Sequence, residues 1–177
     1  MPTPDRTSLE AIVSAGRDIL EASGPGGLTM NAVAERVGVK APSLYKRVRD
    51  KDALFRLVAD ATISDLTTSL HGPTLRDLAV AMRSFAQTRP QGFRAIFTTG
   101  ASPEAIAAAS EPVLRACRNL VGEERALDAA RTVTSWAYGF ITMEMSGAFQ
   151  LGGDIDSAFE TGIDLLTRAL SEPDALA

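Results

Sequence analysis

Apolar residues recur at helical spacing along almost the whole chain, and the short alternating runs of half-buried strands are missing. Leu9, Ile12, Val13, Ile19 and Leu20 share one stripe, which predicts a helix over about residues 8–23, ended by Gly24-Pro25-Gly26-Gly27. Thr29 is a good N-cap for a short helix carrying Met30, Val33, Ala34 and Val37 at i, i+3, i+4 and i+7. Gly38 suits a left-handed C-cap for it. Pro42, at a first helical position, predicts another short helix over about 41–48 with Leu44 and Val48 inward. Asp50 then caps a long helix over about 51–70, carrying Leu54, Phe55, Val58, Ala61 and Leu66.

After His71-Gly72-Pro73 the same reading continues. Thr74 caps a helix to about residue 88 with Leu75, Leu78, Ala79, Met82 and Phe85 inward, and residues 89–92 break it. A short apolar helix over 93–97 and a turn over 98–101 follow. Ser102 caps the next helix, which Pro112 is expected to kink or divide. A long helix opens at Gly122-Glu123-Glu124 and runs to about 150, and the last spans about 154–170. The ends, 1–6 and 171–177, read as frayed. The expected fold class is all-α: an N-terminal three-helix helix-turn-helix head over 1–50, a connecting fourth helix over 51–72, and a helical ligand-binding and dimerisation domain over 73–177.

Composition narrows the chemistry. With one cysteine (Cys117) and one histidine (His71) in 177 residues, intrachain disulfides, cysteine zinc sites and most triads are excluded. His71, beside Gly72-Pro73, reads as a loop residue and Cys117 as a small apolar filler. No phosphate loop or paired-carboxylate motif is present, so neither an enzyme nor a cofactor or metal is expected. The absence of a membrane-length apolar run or a signal-peptide pattern leads to a cytoplasmic expectation.

The net charge of −4 hides an asymmetry. Between Glu35 and Lys51 stand six bases against two acids, including all three lysines of the chain, whereas residues 61–177 carry nine bases against fourteen acids. An acidic body with one basic patch orients a protein on DNA. The patch lies on two short helices joined by a glycine-containing turn, the spacing of a helix-turn-helix, whose second helix meets base edges in the major groove. Lys40, Ala41, Pro42 and Ser43 start that helix, with Lys46 and Arg47 one turn on. Lysine and arginine can pair with guanine, Ser43 with several bases, and Ala41 and Pro42 can touch thymine methyls. Tyr45 suits a phosphate contact through its hydroxyl, as do Thr29 and Lys51 at helix starts.

Leu28-Thr29-Met30-Asn31-Ala32-Val33-Ala34-Glu35-Arg36-Val37-Gly38-Val39, followed by Leu44-Tyr45 and Asp50-Lys51-Asp52-Ala53-Leu54, resembles the head of the tetracycline-repressor (TetR) family. The likeness covers about residues 8–60 and implies an all-helical dimer with a DNA head and a ligand and dimer domain. By resemblance Thr29, Tyr45 and Lys51 fall on phosphate-contacting positions, and 40–43 with Lys46 on base-reading ones. Lys40 departs from the pattern, which usually has a small hydroxyl cap there. Tyr138-Gly139-Phe140, Glu144, Gly147, Phe149 and Asp156-Ser157-Ala158-Phe159 resemble the C-terminal signature of one subgroup, with Tyr138 in place of its histidine and Ala158 in place of its serine.

Double-stranded operator DNA and a second copy of the chain are therefore the expected partners. Leu127, Ala130, Ala137, Ile141, Met145 and Ala148, with Phe159, Gly162, Ile163, Leu166 and Leu170, could supply half of a four-helix bundle. Equally, they could be the core of a monomer. Met82, Phe85, Phe93, Phe97, Trp136, Tyr138, Phe140 and Met143 offer lining for a small, mainly apolar effector, and Glu144 a polar group to orient it. Plain core packing explains the same residues, and Glu144 could instead pair with Arg83 or Arg131. The expected function is a repressor released from a palindromic operator by such an effector. The alternative is a helical small-molecule-binding or protein-interaction module with a degenerate helix-turn-helix.

Overall fold

The computed structural model describes residues 8–98 and 101–172; the expected frayed ends, apart from Ser171 and Glu172, and the middle of the 98–101 turn lie outside that set. Its described residues form nine helices and no strand: α1 (Leu9–Gly27), α2 (Met30–Val37), α3 (Ala41–Leu44), α4 (Lys51–Ser69), α5 (Leu75–Thr88), α6 (Pro90–Thr98), α7 (Pro103–Val121), α8 (Glu123–Met145) and α9 (Ile155–Ser171). They divide into two compact units that are not consecutive in sequence. One is Met1–Asp65 with Arg89–Ile106, the other Leu66–Thr88 with Ala107–Ala177.

In the first unit Ser8 caps α1 by accepting from the Ala11 N–H at 3.1 Å. Ile12, Leu20, Leu28, Val33, Leu44, Val48, Leu54 and Val58 form its core, with Ala95 of α6. Each of the larger ones contributes about 1.5–3 kcal/mol by leaving water. Gly16 is needed where α1 meets α4, because a Cβ there would stand 2.7 Å from Val58 Cγ2. Thr62 is buried without cost because its hydroxyl donates to the Val58 carbonyl at 2.7 Å.

The first unit also holds α6 by both flanks. Pro90 opens α6 and has no N–H, so the free amides of its first turn are those of Gln91 and Gly92. Arg89, in the cap position, has no acceptor to offer them. Glu21 of α1 accepts both, each at 3.0 Å. Beyond the other end, Asp60 of α4 accepts from the Ser102 N–H at 2.7 Å.

In the second unit Thr74 and Asp77 cap α5 reciprocally. The Asp77 N–H donates to the Thr74 hydroxyl oxygen at 3.1 Å, and the Thr74 N–H to the Asp77 carboxylate at 3.0 Å. The expected inward face of α5 (Leu75, Leu78, Ala79, Met82, Phe85) is buried throughout. Helices α5, α8 and α9 pack mutually. Trp136 lies on the bare Cα of Gly162, where a Cβ would come 2.3 Å from the indole.

Several boundaries differ from the sequence reading. The glycine breaker acts only at Gly24 (φ 65°), after which helix resumes to Gly27. α3 stops at Leu44 and is followed by a turn, in which the Arg47 and Val48 amides both reach the Leu44 carbonyl at 2.8 Å. α6 begins at Pro90, since proline without its N–H suits a first helical position. α7 is not divided at Pro112. α8 ends at Met145, five residues early, because Gly147 turns left-handed (φ 69°) and its amide and that of Ala148 close on the Glu144 and Met143 carbonyls.

Candidate nucleic-acid interface

The turn between α2 and α3 is built by local chemistry. Thr29 accepts from the Ala32 N–H at 3.1 Å and starts α2. Gly38 ends it at φ 74°, ψ 37°, donating back to Ala34 and Glu35, and the Val39 amide reaches the Ala34 carbonyl at 2.9 Å. Leu44 and Val48 anchor α3 and its following turn in the core. Asp50 then accepts from the Ala53 N–H at 2.8 Å and starts α4.

On this frame the expected DNA-contacting residues stand mostly free of the core. Lys40 occupies the cap position of α3 without a side-chain cap, as an ammonium must, since it has no acceptor. Its side chain is exposed, as are Pro42, Lys46 and Arg47, while Ala41, Ser43 and Thr29 are half-buried. Tyr45 leaves 54% of its surface in solvent, far more than a packing role requires. Lys51 is exposed at the start of α4 with its ammonium 5.4 Å from the Phe55 ring centroid. Arg49 is bound to Asp50 at 2.7 Å. That contact, with the Ala53 amide acting more strongly, holds the Asp50 carboxyl below its ordinary value.

Sequence reasoning passed over one exposed cation of α4, Arg56. Arg56 lines an open groove of about 710 Å³ with Pro25, Gly26, Lys51, Asp52, Phe55 and Thr98. The charge of Arg56 was legible, but its meeting with residues 25 and 98 depends on α6 belonging to this unit.

The nine effector candidates are distributed over both units. Phe93, buried, and Phe97, exposed, lie on α6 of the first unit with ring centroids 5.3 Å apart. In the second, Met82 and Phe85 are buried on α5, Tyr138 is half-buried and Met143 is exposed. Trp136 and Phe140 join Phe149 and Phe159 in one aromatic cluster, with centroid distances of 4.8–5.8 Å. Glu144 is held by Arg83, whose Nε and Nη2 donate to it at 2.8 and 2.6 Å, and by Gln87 at 3.2 Å. Arg131 pairs with Asp128 instead. Of the dimer candidates, Ala130, Ala137, Ile141, Phe159, Ile163 and Leu170 are buried within the single chain. Met145, Gly162 and Leu166 are half-buried, and Leu127 and Ala148 exposed. The most apolar stripe of each helix is spent on the chain's own core, which leaves Leu127, Ala158, Leu165 and Ala169 on the outer surface.

Among the described residues no group of three or more His, Cys, Asp or Glu could hold a metal ion. No helix among them is long and apolar enough to cross a membrane.

Known proteins resemble the chain over most of its length. Residues 12–58 match the model of bacterial regulatory proteins of the tetR family, and residues 75–166 that of a tetracycline-repressor-like C-terminal domain. A relative in Mycobacterium tuberculosis, described as an HTH-type transcriptional regulator, is 35% identical over 170 residues, covering 87% of this chain and 76% of its own. BioQ of Mycobacterium smegmatis is 28% identical with a TM-score of 0.71 over 93% of this chain and 97% of its own. A TetR variant from Acinetobacter baumannii, solved in complex with minocycline, is 25% identical with a TM-score of 0.70 over 91% and 94%.

Proposed function

The chain belongs to the TetR family of bacterial regulatory proteins, and on that premise we propose that it is a homodimeric repressor that reads a palindromic operator and is released by a small, mainly apolar effector. The observation that carries the DNA reading is the surface of α3 and its flanks. Lys40, Pro42, Tyr45, Lys46, Arg47 and Lys51 are all exposed on a frame anchored in the core by Leu44 and Val48. Residues 40–43 with Lys46 and Arg47 meet base edges, and Thr29, Tyr45 and Lys51 hold phosphates.

One such helix reads only a few bases, so a two-fold pair is needed to span successive major-groove faces, about 34 Å apart. The exposed face of α8 and α9 suits that pairing. It offers Leu127 and Leu165, 49% and 59% exposed, together with charges of both signs (the Asp128–Arg131 pair and Arg168), a mixture compatible with self-complementary contact. The buried stripe of Ala130, Ile141, Phe159 and Ile163 then supports the pair from beneath. For the effector, the A. baumannii protein's complex with minocycline supports a response to a small molecule. Release follows by linkage: an effector that binds one geometry more tightly weakens DNA binding, and DNA weakens the effector by the same factor.

The test is selection of bound fragments from a genomic library at two salt concentrations. A short palindrome should be enriched at low salt and lost at high salt. Lys46→Ala should weaken binding and, if Lys46 also neutralises a phosphate, lower the salt slope by about 1. No enrichment at either salt would instead favour either an effector needed for DNA binding or a protein-interaction module.

A further inference from the structure

Glu144 of α8 and Asp156 and Phe159 of α9 converge on one arginine of α5. Arg83 of α5 donates twice to Glu144 in the last turn of α8 and once, at 2.7 Å, to Asp156 in the first turn of α9. Its guanidinium also lies 4.9 Å from the Phe159 ring centroid, and its pKa is raised chiefly by the Glu144 bonds. Two turns earlier on α5, Arg76 pairs with Glu160 at 3.3 Å and with Asp164. Asp156, Glu160 and Asp164 are spaced four apart and form one acidic stripe on α9, read by two arginines seven apart on α5.

The segment between α8 and α9 has little in it to set the angle of α9. Gly147, Gly152 and Gly153 all have positive φ, and a Cβ on any of them would meet nothing within 4 Å. Leu151 is fully exposed, and Phe149, against Phe140, is the one aromatic anchor among 146–154. We infer that Arg83, seconded by Arg76, is the positioning residue that fixes α9 against α5 and α8 and so shapes the outer α8–α9 face through which two copies pair. This rests on the dimer reading above. The bidentate geometry to Glu144 matters, since a planar fork fixes direction as well as distance.

The experiment is sedimentation of the full chain with and without DNA, in parallel with binding to a single half-site fragment. Arg83→Gln should raise the dimer dissociation constant at least about tenfold, because it leaves two acids without their cation, while half-site binding by the head stays unchanged. Arg83→Lys, which keeps the charge but loses the fork, should fall between. Val133→Ala, a core truncation in α8 away from the clasp, should lower Tm yet leave the dimer constant within about twofold. If Arg83→Gln does not fold, Asp156→Asn removes one arm only and should shift the constant by about threefold or more. A folded Arg83→Gln with the wild-type constant, or Val133→Ala shifting it equally, overturns the inference while the dimer reading stands. A wild-type chain monomeric at 10 µM both free and on DNA, a concentration of about the scale where weak interfaces dissociate, overturns the dimer reading and the inference together.

Discussion

Glu21 offers a sharp test of how α6 is held. Its carboxylate accepts the only two free amides in the first turn of α6, from a position 70 residues earlier in the chain. Glu21→Ala removes both bonds and the negative charge at a helix N-terminus. Buried bonds to a charged acceptor are worth about 1.5–3 kcal/mol each, but this site is half-exposed and water can replace the lost acceptor. Taking about 1 kcal/mol for each bond and about 0.5 for the helix dipole gives about 2–3 kcal/mol. Glu21→Gln keeps one acceptor oxygen and loses the charge, so about 1 kcal/mol is expected. Urea unfolding measures the totals, and amide exchange at Gln91 and Gly92 measures the local part, which should accelerate about thirtyfold in Glu21→Ala. If Glu21→Ala costs under about 0.5 kcal/mol and both amides exchange as in the wild type, the cap is idle and the reasoning fails.

Further outcomes follow from single positions. Gly38→Ala forces an L-residue into φ 74° at the end of α2 and should cost about 1–2 kcal/mol, read as a shift in urea midpoint, with weaker operator binding. Gly162→Ala must displace the only tryptophan, since its Cβ would stand 2.3 Å from the Trp136 ring. A change in Trp136 emission together with a lower Tm should report it, and unchanged emission would contradict the packing. Asp50 and Asp77 are both held below their ordinary 3.8, Asp50 first by the Ala53 amide and Asp77 first by the Thr74 hydroxyl. A lowered folded-state pKa stabilises the fold above the unfolded value and loses that contribution as pH falls through the folded one. Thermal melts from pH 6 downward should therefore show an acid decline beginning near 3.8 that is shallower in Asp50→Asn and Asp77→Asn.

Features that depend on near neighbours along the chain are legible in the sequence by itself. The caps at Ser102, Thr29, Thr74 and Asp50, the left-handed Gly38 and the inward faces of α2 and α5 are decided within one helical turn, where spacing and side-chain chemistry suffice. The same holds for the exposed basic surface of α3, because the anchoring Leu44 and Val48 determine which of their neighbours face outward. The end of α8 at Gly147 is also a local event, but an apolar pattern continuing to Phe149 hides it.

What remained to the tertiary structure was partnership. The apolar stripes of α8 and α9 were visible, but whether they met the chain's own α5 or a second copy was not, because hydrophobic burial is non-directional and a stripe does not name its cover. Arg83 and Glu144 were visible as charges, yet their fork, and the choice of Arg83 over Arg131, required α5 to lie against α8. That α6 belongs with the first unit was invisible for the same reason: its cap is supplied by Glu21, and no local rule connects a carboxylate to amides 70 residues away. Period and capping are properties of one segment, whereas contact is a property of two.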